Sequence, residues 1–300
     1  MTEYLKPALS FDAQLLQLEE RGLAVPDRGL ALLYLQRVGY YRLMGYLYPQ
    51  RLQQSDHYIE GANIDEALAL YEFDRCLREL VIEAVGHIEV AVRTSITHNF
   101  SSVYGPFGHH VAANFSFSPE WHREWIAKVR VEVERSREAF LLHYRNKYTD
   151  PPFPMVPIWM ASEVMSIGTL SKFYSAMHPA HQKVIARDFE LRSPVLKNWL
   201  HFASVLRNVA AHHGRLWNRE LGVKPFRPHG ASWSEERTPY STSRCFYTLL
   251  VLRYLLRYTT ALDLDWRDRV TKLLERYLNV EHRVVAIGAD PGWKSHPLWG

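Results

Sequence analysis

Apolar positions recur at three- and four-residue steps along most of the chain, and the elements this spacing predicts are helices. The longest run extends from Ile64 to about Phe100, where Leu68, Phe73, Leu77, Leu80, Ala84, Ile88, Val92 and Ile96 form one stripe. Ahead of it, Ser10 fits an N-cap for a helix over Phe11–Glu20 that ends at Arg21-Gly22-Leu23, and a second helix is predicted from Asp27 to Val38. The aromatic stretch from Gly39 to Tyr46 halts at Pro49, and residues 51–63 read as loop. Residues 119–148 read as a single charged helix with Trp121, Trp125, Val129, Val133 and Phe140 on its buried edge. Asp150 to Pro157 has too many prolines for a helix and reads as a connector. Helical spacing resumes over Ile158–Val164, breaks at Gly168, and returns over Leu170–Met177 and Gln182–Phe189. A further helix begins near Pro194, a favourable first-turn residue.

Leu221 to Tyr240 is rich in proline, glycine and charge and is expected to be a loop excursion. Amphipathic helices are predicted over Ser241–Thr260 and Leu264–Leu278, and the tail from Gly288 to Gly300 is irregular. Only Val280–Ile287 hints at a strand, and no internal repeat or heptad seam is visible. The fold class expected is all-α, with an accessory helical region over residues 1–63, a helical core over residues 64–287 and a tail over residues 288–300.

Composition changes this picture little. With 300 residues, 47% hydrophobic and 23% charged, the chain matches a soluble globular protein able to bury a core. A formal charge of +4 excludes a histone-like polycation. Arginine outnumbers lysine by 27 to 9, which suits phosphate and base contacts but follows equally from a GC-rich coding bias. Cys76 and Cys245 lie in apolar helical patterns without metal-ligand spacing, so they read as buried thiols in a reducing compartment. Neither a signal-peptide core nor a bilayer-length segment occurs, and the expected location is the cytoplasm, away from any membrane.

Several chemistries lack their residues. The chain has no phosphate-cradling glycine loop, no Gly-x-Ser-x-Gly elbow and no His-Glu-x-x-His. The pairs His109-His110 and His212-His213 have no partners at metal spacing, so neither a metal nor a cofactor is expected. The tyrosines around Arg42 suit either base stacking or the packing of one helix, and packing is the commoner use.

The stretch from Trp199 to Arg219 carries the densest chemistry: Arg207, Asn208, His212 and His213, then Gly214 as a helix stop. Arg-x4-His spacing is weak by itself, because this composition produces roughly one such pair by chance. The chain has two, Arg207 with His212 and Arg93 with His98. At the first, Asn208 and His212 are four apart and share a helical face, so the amide can orient the imidazole. Arg207 is about 140° round the axis from His212. A long guanidinium can reach round to a phosphate near the histidine, or a second protomer can supply one. A histidine in the last turn can move a proton while arginine holds phosphoryl charge, and no metal is needed if the RNA 2′-hydroxyl attacks. A solvated helix terminus accounts for the same residues equally well. Arg93 has an obvious ion-pair partner in Glu89, with a supporting role beside the first site if the two helices pack together.

Arg207-Asn-Val-Ala-Ala-His-His-Gly-Arg-Leu-Trp-Asn-Arg219 resembles the signature of the Abi-like abortive-infection family (AbiD/AbiF type), whose core belongs to the HEPN superfamily of helical RNases. Further similarities follow in chain order: Lys6-Pro7 with Gln14, Tyr40-Tyr41-Arg42-Leu43 with Gly45-Tyr46, Tyr71 to Arg78, and Ile88-Glu89 with Arg93. Tyr104 to Gly108, Trp159-Met160 with Glu163 and Gly168, and Gly292-Trp293 with Trp299 complete the set. The resemblance implies an HEPN-type helical bundle with additional N-terminal and C-terminal helices. In it two motif-bearing helices meet, usually across a homodimer. It also implies a metal-independent endoribonuclease that leaves a 2′,3′-cyclic phosphate and serves in phage defence. Arg207 and His212 match the family's catalytic pair and Asn208 the polar residue after the arginine. His213, Asn218, Glu89 and Arg93 stand as supporting residues. RNA is the expected partner, a cognate non-coding RNA included, and residues 1–63 are expected to help hold RNA or gate the site. The alternative is a non-catalytic RNA-binding or regulatory module of a defence or toxin–antitoxin system. A nucleotide-binding or protein-interaction bundle is a third, weaker reading.

Overall fold

Ser10 accepts a hydrogen bond from the Ala13 N–H at 3.2 Å and opens α1, Phe11–Glu20, as its sequence requires. The computed structural model describes residue 3 and residues 7–259, 263–279 and 281–299. Lys6, Thr260, Val280 and Gly300, to which the sequence assigned roles, lie outside the described residues.

Asp27 caps α2, Arg28–Arg37, by accepting from the Leu30 N–H at 2.9 Å. α3, Tyr40–Leu47, follows Gly39, whose φ of 93° is a left-handed conformation that glycine adopts without a Cβ penalty. A single 3₁₀ turn, Tyr48–Gln50, and a loop then lead into α4, Ile64–Tyr104. The Gln50 side chain holds the two ends of that loop: its amide donates to the Asn63 carbonyl and its oxygen accepts from the Asn63 N–H.

The chain forms two compact units, residues 1–77 and 78–300. In the first, Leu15, Leu18, Ala31, Leu35, Leu43 and Phe73 are buried together with Asp74. A buried carboxylate is costly unless paired, and the Tyr46 hydroxyl donates to Asp74 Oδ2 at 2.7 Å.

The second unit takes in the later part of α4, whose residues Leu80, Ala84, Ile88, Val92 and Ile96 are all buried, as their spacing predicts. It continues with α5, Pro119–Arg135, and α6, Ala139–Lys147. The single helix expected over 119–148 is therefore two. Ser136 adopts an extended conformation, and its Oγ accepts from the Glu138 N–H at 3.2 Å, a local bond that competes with helix continuation. α7, Ile158–Val164, and α8, Ile167–Ala176, are separated at Met165–Ser166, not at Gly168. Ser166 caps α8 through the Thr169 N–H, and Gly168 lies inside the helix. A Cβ there would stand 3.1 Å from Ser204 Oγ, so this glycine permits close approach to the later helix carrying Ser204.

α9, Pro179–Asp188, α10, Ser193–Ala211, and α11, Cys245–Leu256, come next, then α12, Asp263–Tyr277, and α13, Glu281–Ile287. Trp266 on α12 is buried and donates from Nε1 to the Leu80 carbonyl at 2.8 Å, tying it to α4. The strand hint at 280–287 is overturned. Val284 and Ile287 are buried at a helical three-residue step, with Val285 exposed between them. Among the described residues there is no strand, only three isolated bridges, and the fold is all-α. Of the two cysteines Cys245 is buried and Cys76 only half-buried, beside the Arg75 guanidinium. No helix of the described residues is long and apolar enough to cross a membrane.

Candidate functional site at the end of α10

Pro194 sits in the first turn of α10, and Trp199, Phe202, Leu206 and Ala210 are buried along one face. Trp199 donates from Nε1 to the Phe226 carbonyl at 2.8 Å, while the Asn198 amide bonds the Lys224 carbonyl and the Phe226 N–H. These bonds fasten the 221–240 excursion to α10. Arg227 orders the same segment from within by donating to the carbonyls of Trp233, Thr238 and Tyr240.

The helix ends by a mechanism different from the one expected. His212 is the C-cap, and His213, not Gly214, takes the left-handed conformation with φ 57°. The His213 N–H reaches the Ala210 carbonyl at 3.0 Å and the Gly214 N–H the Val209 carbonyl at 2.7 Å, the paired bonds of a Schellman stop. Gly214 is needed for space: a Cβ on it would come within 2.9 Å of the Val209 carbonyl oxygen. A left-handed non-glycine residue costs about 1 kcal/mol, which the two capping bonds offset. His212 thus lies just past the last helical residue, exposed to solvent, with His213 exposed beside it.

Arg207 is half-buried one turn earlier, and its Nη1 donates to Asn208 Oδ1 at 3.1 Å. The amide therefore orients the guanidinium. Among the described residues no side-chain bond links Asn208 to His212, contrary to the shared-face expectation, because the neighbouring cation is the stronger claimant for the amide oxygen. On the other side, Glu89 of α4 lies within electrostatic reach of both Arg93 and Arg207. Burial pushes the Glu89 carboxyl up from the usual carboxylate range, against the opposing pull of Arg93, then Arg207, and the Arg93 hydrogen bond. Arg93 Nη2 is 2.7 Å from Glu89 Oε1 and donates also to the Met165 carbonyl at 3.3 Å, and Nη1 stands 3.9 Å from Glu163. Arg93 Nε is buried with no hydrogen-bond partner.

The fold thus brings Glu89, Arg93 and Arg207 together from two helices. Glu163, which the family resemblance includes, and the Met165 carbonyl, which nothing in the sequence singles out, join them from the α7–α8 junction. His98 is left out: it is exposed, and its carbonyl caps the hydroxyls of Ser101 and Ser102. Asn218, with φ 46°, accepts from Arg244 Nη1 at 2.8 Å and anchors the segment leaving the site to the start of α11. His109 and His110 do not belong to this cluster. Burial first, then His110 and His122, lowers His109 to about 2, and burial with Arg130 lowers His110 to about 4, so both rings are neutral near pH 7. No group of three or more His, Cys, Asp or Glu able to hold a metal ion occurs among the described residues.

Chemically, the arrangement offers a cation oriented by an amide, balanced by a partly buried carboxylate, and an open imidazole at the same helix end. The sequence profile of the family described as "Abi-like protein" matches residues 33–218, well over half of the chain and inclusive of every residue of this cluster. No curated protein and no solved structure matches the chain.

Proposed function

We propose that this chain, which belongs to the Abi-like protein family, is a cytoplasmic HEPN-type endoribonuclease that cuts RNA at Arg207, Asn208 and His212 without a metal ion. Family membership itself points to a role in abortive infection. The observation that carries the cleavage reading is the setting of Arg207, held by Asn208 on one side and facing the Glu89–Arg93 pair on the other, at the same helix end as an exposed imidazole. A guanidinium already oriented by fixed partners is suited to the charge that builds on a phosphorane.

In this mechanism the 2′-oxygen forms a bond to phosphorus while His212 takes the 2′-hydroxyl proton. The P–O5′ bond then breaks, the 5′ oxygen takes a proton from water and leaves as a hydroxyl, and the hydroxide so formed is neutralised by the proton that His212 took up. Arg207 stabilises the pentavalent phosphate, and Asn208 acts as its positioning residue. Arg207 and His212 share no bond within one chain, and a homodimer that joins two helix ends supplies both groups to one phosphodiester.

Incubation with total cellular RNA in EDTA tests the reading. Cleavage is expected, with 2′,3′-cyclic phosphate ends, and an oligonucleotide carrying 2′-deoxyribose at the scissile nucleotide is expected to survive. Cutting that requires added Mg²⁺, or binding without cutting, overturns it; the latter outcome fits the non-catalytic RNA-binding module.

Glu89 gives a separate prediction. Its raised carboxyl means that the folded chain holds this proton more tightly than the unfolded chain does, so that contribution to stability is present below the ordinary carboxylate pKa and fades as pH rises through the folded value. Glu89→Gln loses the ion pair with Arg93 but also relieves the burial of a charge, two opposed effects, so the Tm at pH 7 is expected to stay close to wild type. Cleavage is expected to fall about tenfold as Arg207 loses its facing charge. Parallel thermal melts and initial rates check this; a lowered Tm with an unchanged rate would make Glu89 a purely structural residue.

A further inference from the structure

The aromatic stretch after Gly39 divides in a way its sequence does not reveal. Tyr46 is buried against Asp74, Tyr58 is buried with its hydroxyl toward Met44, and Tyr40 meets the Arg21 guanidinium. Tyr41 and Tyr48 point outward, 93% and 68% exposed, and among the described residues no side-chain hydrogen bond or ring contact engages either. Seven helical positions return to the same side of the axis, so the two rings share one face of α3 and its following turn, with Met44 and Gly45 between them.

The rise between them is about 10 Å, three base-stacking steps of roughly 3.4 Å. Tyr48 also forms one wall of an open depression of ≈ 740 Å³ that Pro49, Arg51 and Leu52 help to line, ample room for a nucleobase. Asp56 also lines this depression, where it is paired with Arg51, and the segment ahead of it is basic. Residues 28–55 contain four arginines and no carboxylate. Arg28 is neutralised by Glu19 and Arg51 by Asp56, while the exposed Arg37 side chain, just ahead of Tyr41 in the sequence, has no ion-pair or hydrogen-bond partner among the described residues.

We infer that this face of α3 is a stacking platform for single-stranded RNA, with bases against Tyr41 and Tyr48 and the phosphate backbone beside Arg37. Two solvated rings, a cation without a competing carboxylate and a groove beside the second ring are the elements of sequence-tolerant single-strand binding. The exposed apolar area here is small, two amphipathic rings with Pro49 and Leu52, and guanidinium and amide groups flank it, which suits stacked bases better than an apolar protein partner. The choice of RNA over DNA rests on the ribonuclease reading; the platform itself does not.

The test uses the full-length chain carrying His212→Ala, so that binding is read without turnover. Fluorescence anisotropy with labelled oligo(U), oligo(A) and a hairpin duplex is the probe. Tyr41→Ala and Tyr48→Ala are each expected to weaken single-strand binding at least about fivefold, and the pair together about 25-fold or more, for both homopolymers. Tyr41→Phe keeps the ring and is expected to bind as the parent does. Arg37→Gln is expected to lower the slope of log K against log salt by about 0.7. Both tyrosines are solvated, so unchanged melting curves will confirm folding. The inference fails if the double alanine variant binds oligo(U) within twofold of the parent, if duplex is lost as strongly as single strand, or if no single-stranded RNA is bound. Tyrosine-dependent binding by a wild-type chain that cuts nothing would uphold the platform and reject the ribonuclease. Cleavage by a chain whose binding ignores both tyrosines would do the reverse.

Discussion

Alanine at His212 is expected to reduce RNA cleavage by a factor on the order of 10² to 10⁴, the usual contribution of a positioned acid–base group. Arg207→Ala is expected to cost about 10² to 10³, the scale for removing one fixed donor to a developing oxyanion. Because His212 is exposed and follows the last helical residue, its removal leaves the capping bonds of His213 and Gly214 in place. The variant should therefore melt within ~0.5 kcal/mol of wild type. Arg207→Lys separates charge from geometry: a lysine keeps the charge but not the planar fork that Asn208 orients, so most of the activity should still be lost. If the two residues act on one transition state, the double variant will be little worse than the poorer single one. Initial rates on a labelled RNA in EDTA decide the matter, and wild-type cleavage by both alanine variants would move the site elsewhere.

The largest stability effect is expected at Trp199, on the buried face of the same helix. Its side chain is fully buried, it packs edge-on against Tyr254 and tilted against Trp233, and its indole N–H holds the Phe226 carbonyl at 2.8 Å. Trp199→Ala opens a cavity and frees the excursion's only bond to that ring, an expected loss of about 3–5 kcal/mol in urea denaturation. Trp199→Phe fills most of the space but leaves the carbonyl without this donor, an expected loss of about 1–3 kcal/mol. A loss below ~1 kcal/mol for the alanine variant would show that the excursion does not depend on α10.

Much of this protein is legible in its sequence where the forces are local. The cap at Ser10, the stripe from Leu68 to Ile96 and the Glu89–Arg93 pair all appear as their spacing predicts. Each depends on residues within one or two turns, so periodicity and capping chemistry suffice. The expectations that failed turn on competition that spacing does not weigh. Ser136 splits a charged helix through a hydroxyl bond, Gly168 serves close packing instead of a break, and His213 takes the left-handed position that Gly214 was expected to fill.

The candidate site divides along the same line. Sequence alone placed Arg207, Asn208 and His212 at one helix end, because helical geometry fixes residues one turn apart. Only the tertiary structure decided that Asn208 serves Arg207 and that Glu89 faces it across two helices. The same holds for Glu163 and the Met165 carbonyl beside Arg93, and for Tyr41 and Tyr48 lying outside while Tyr46 lies within. Those outcomes depend on which surfaces pack together and on where a buried charge finds its partner, and both are settled by contacts between segments far apart in the chain.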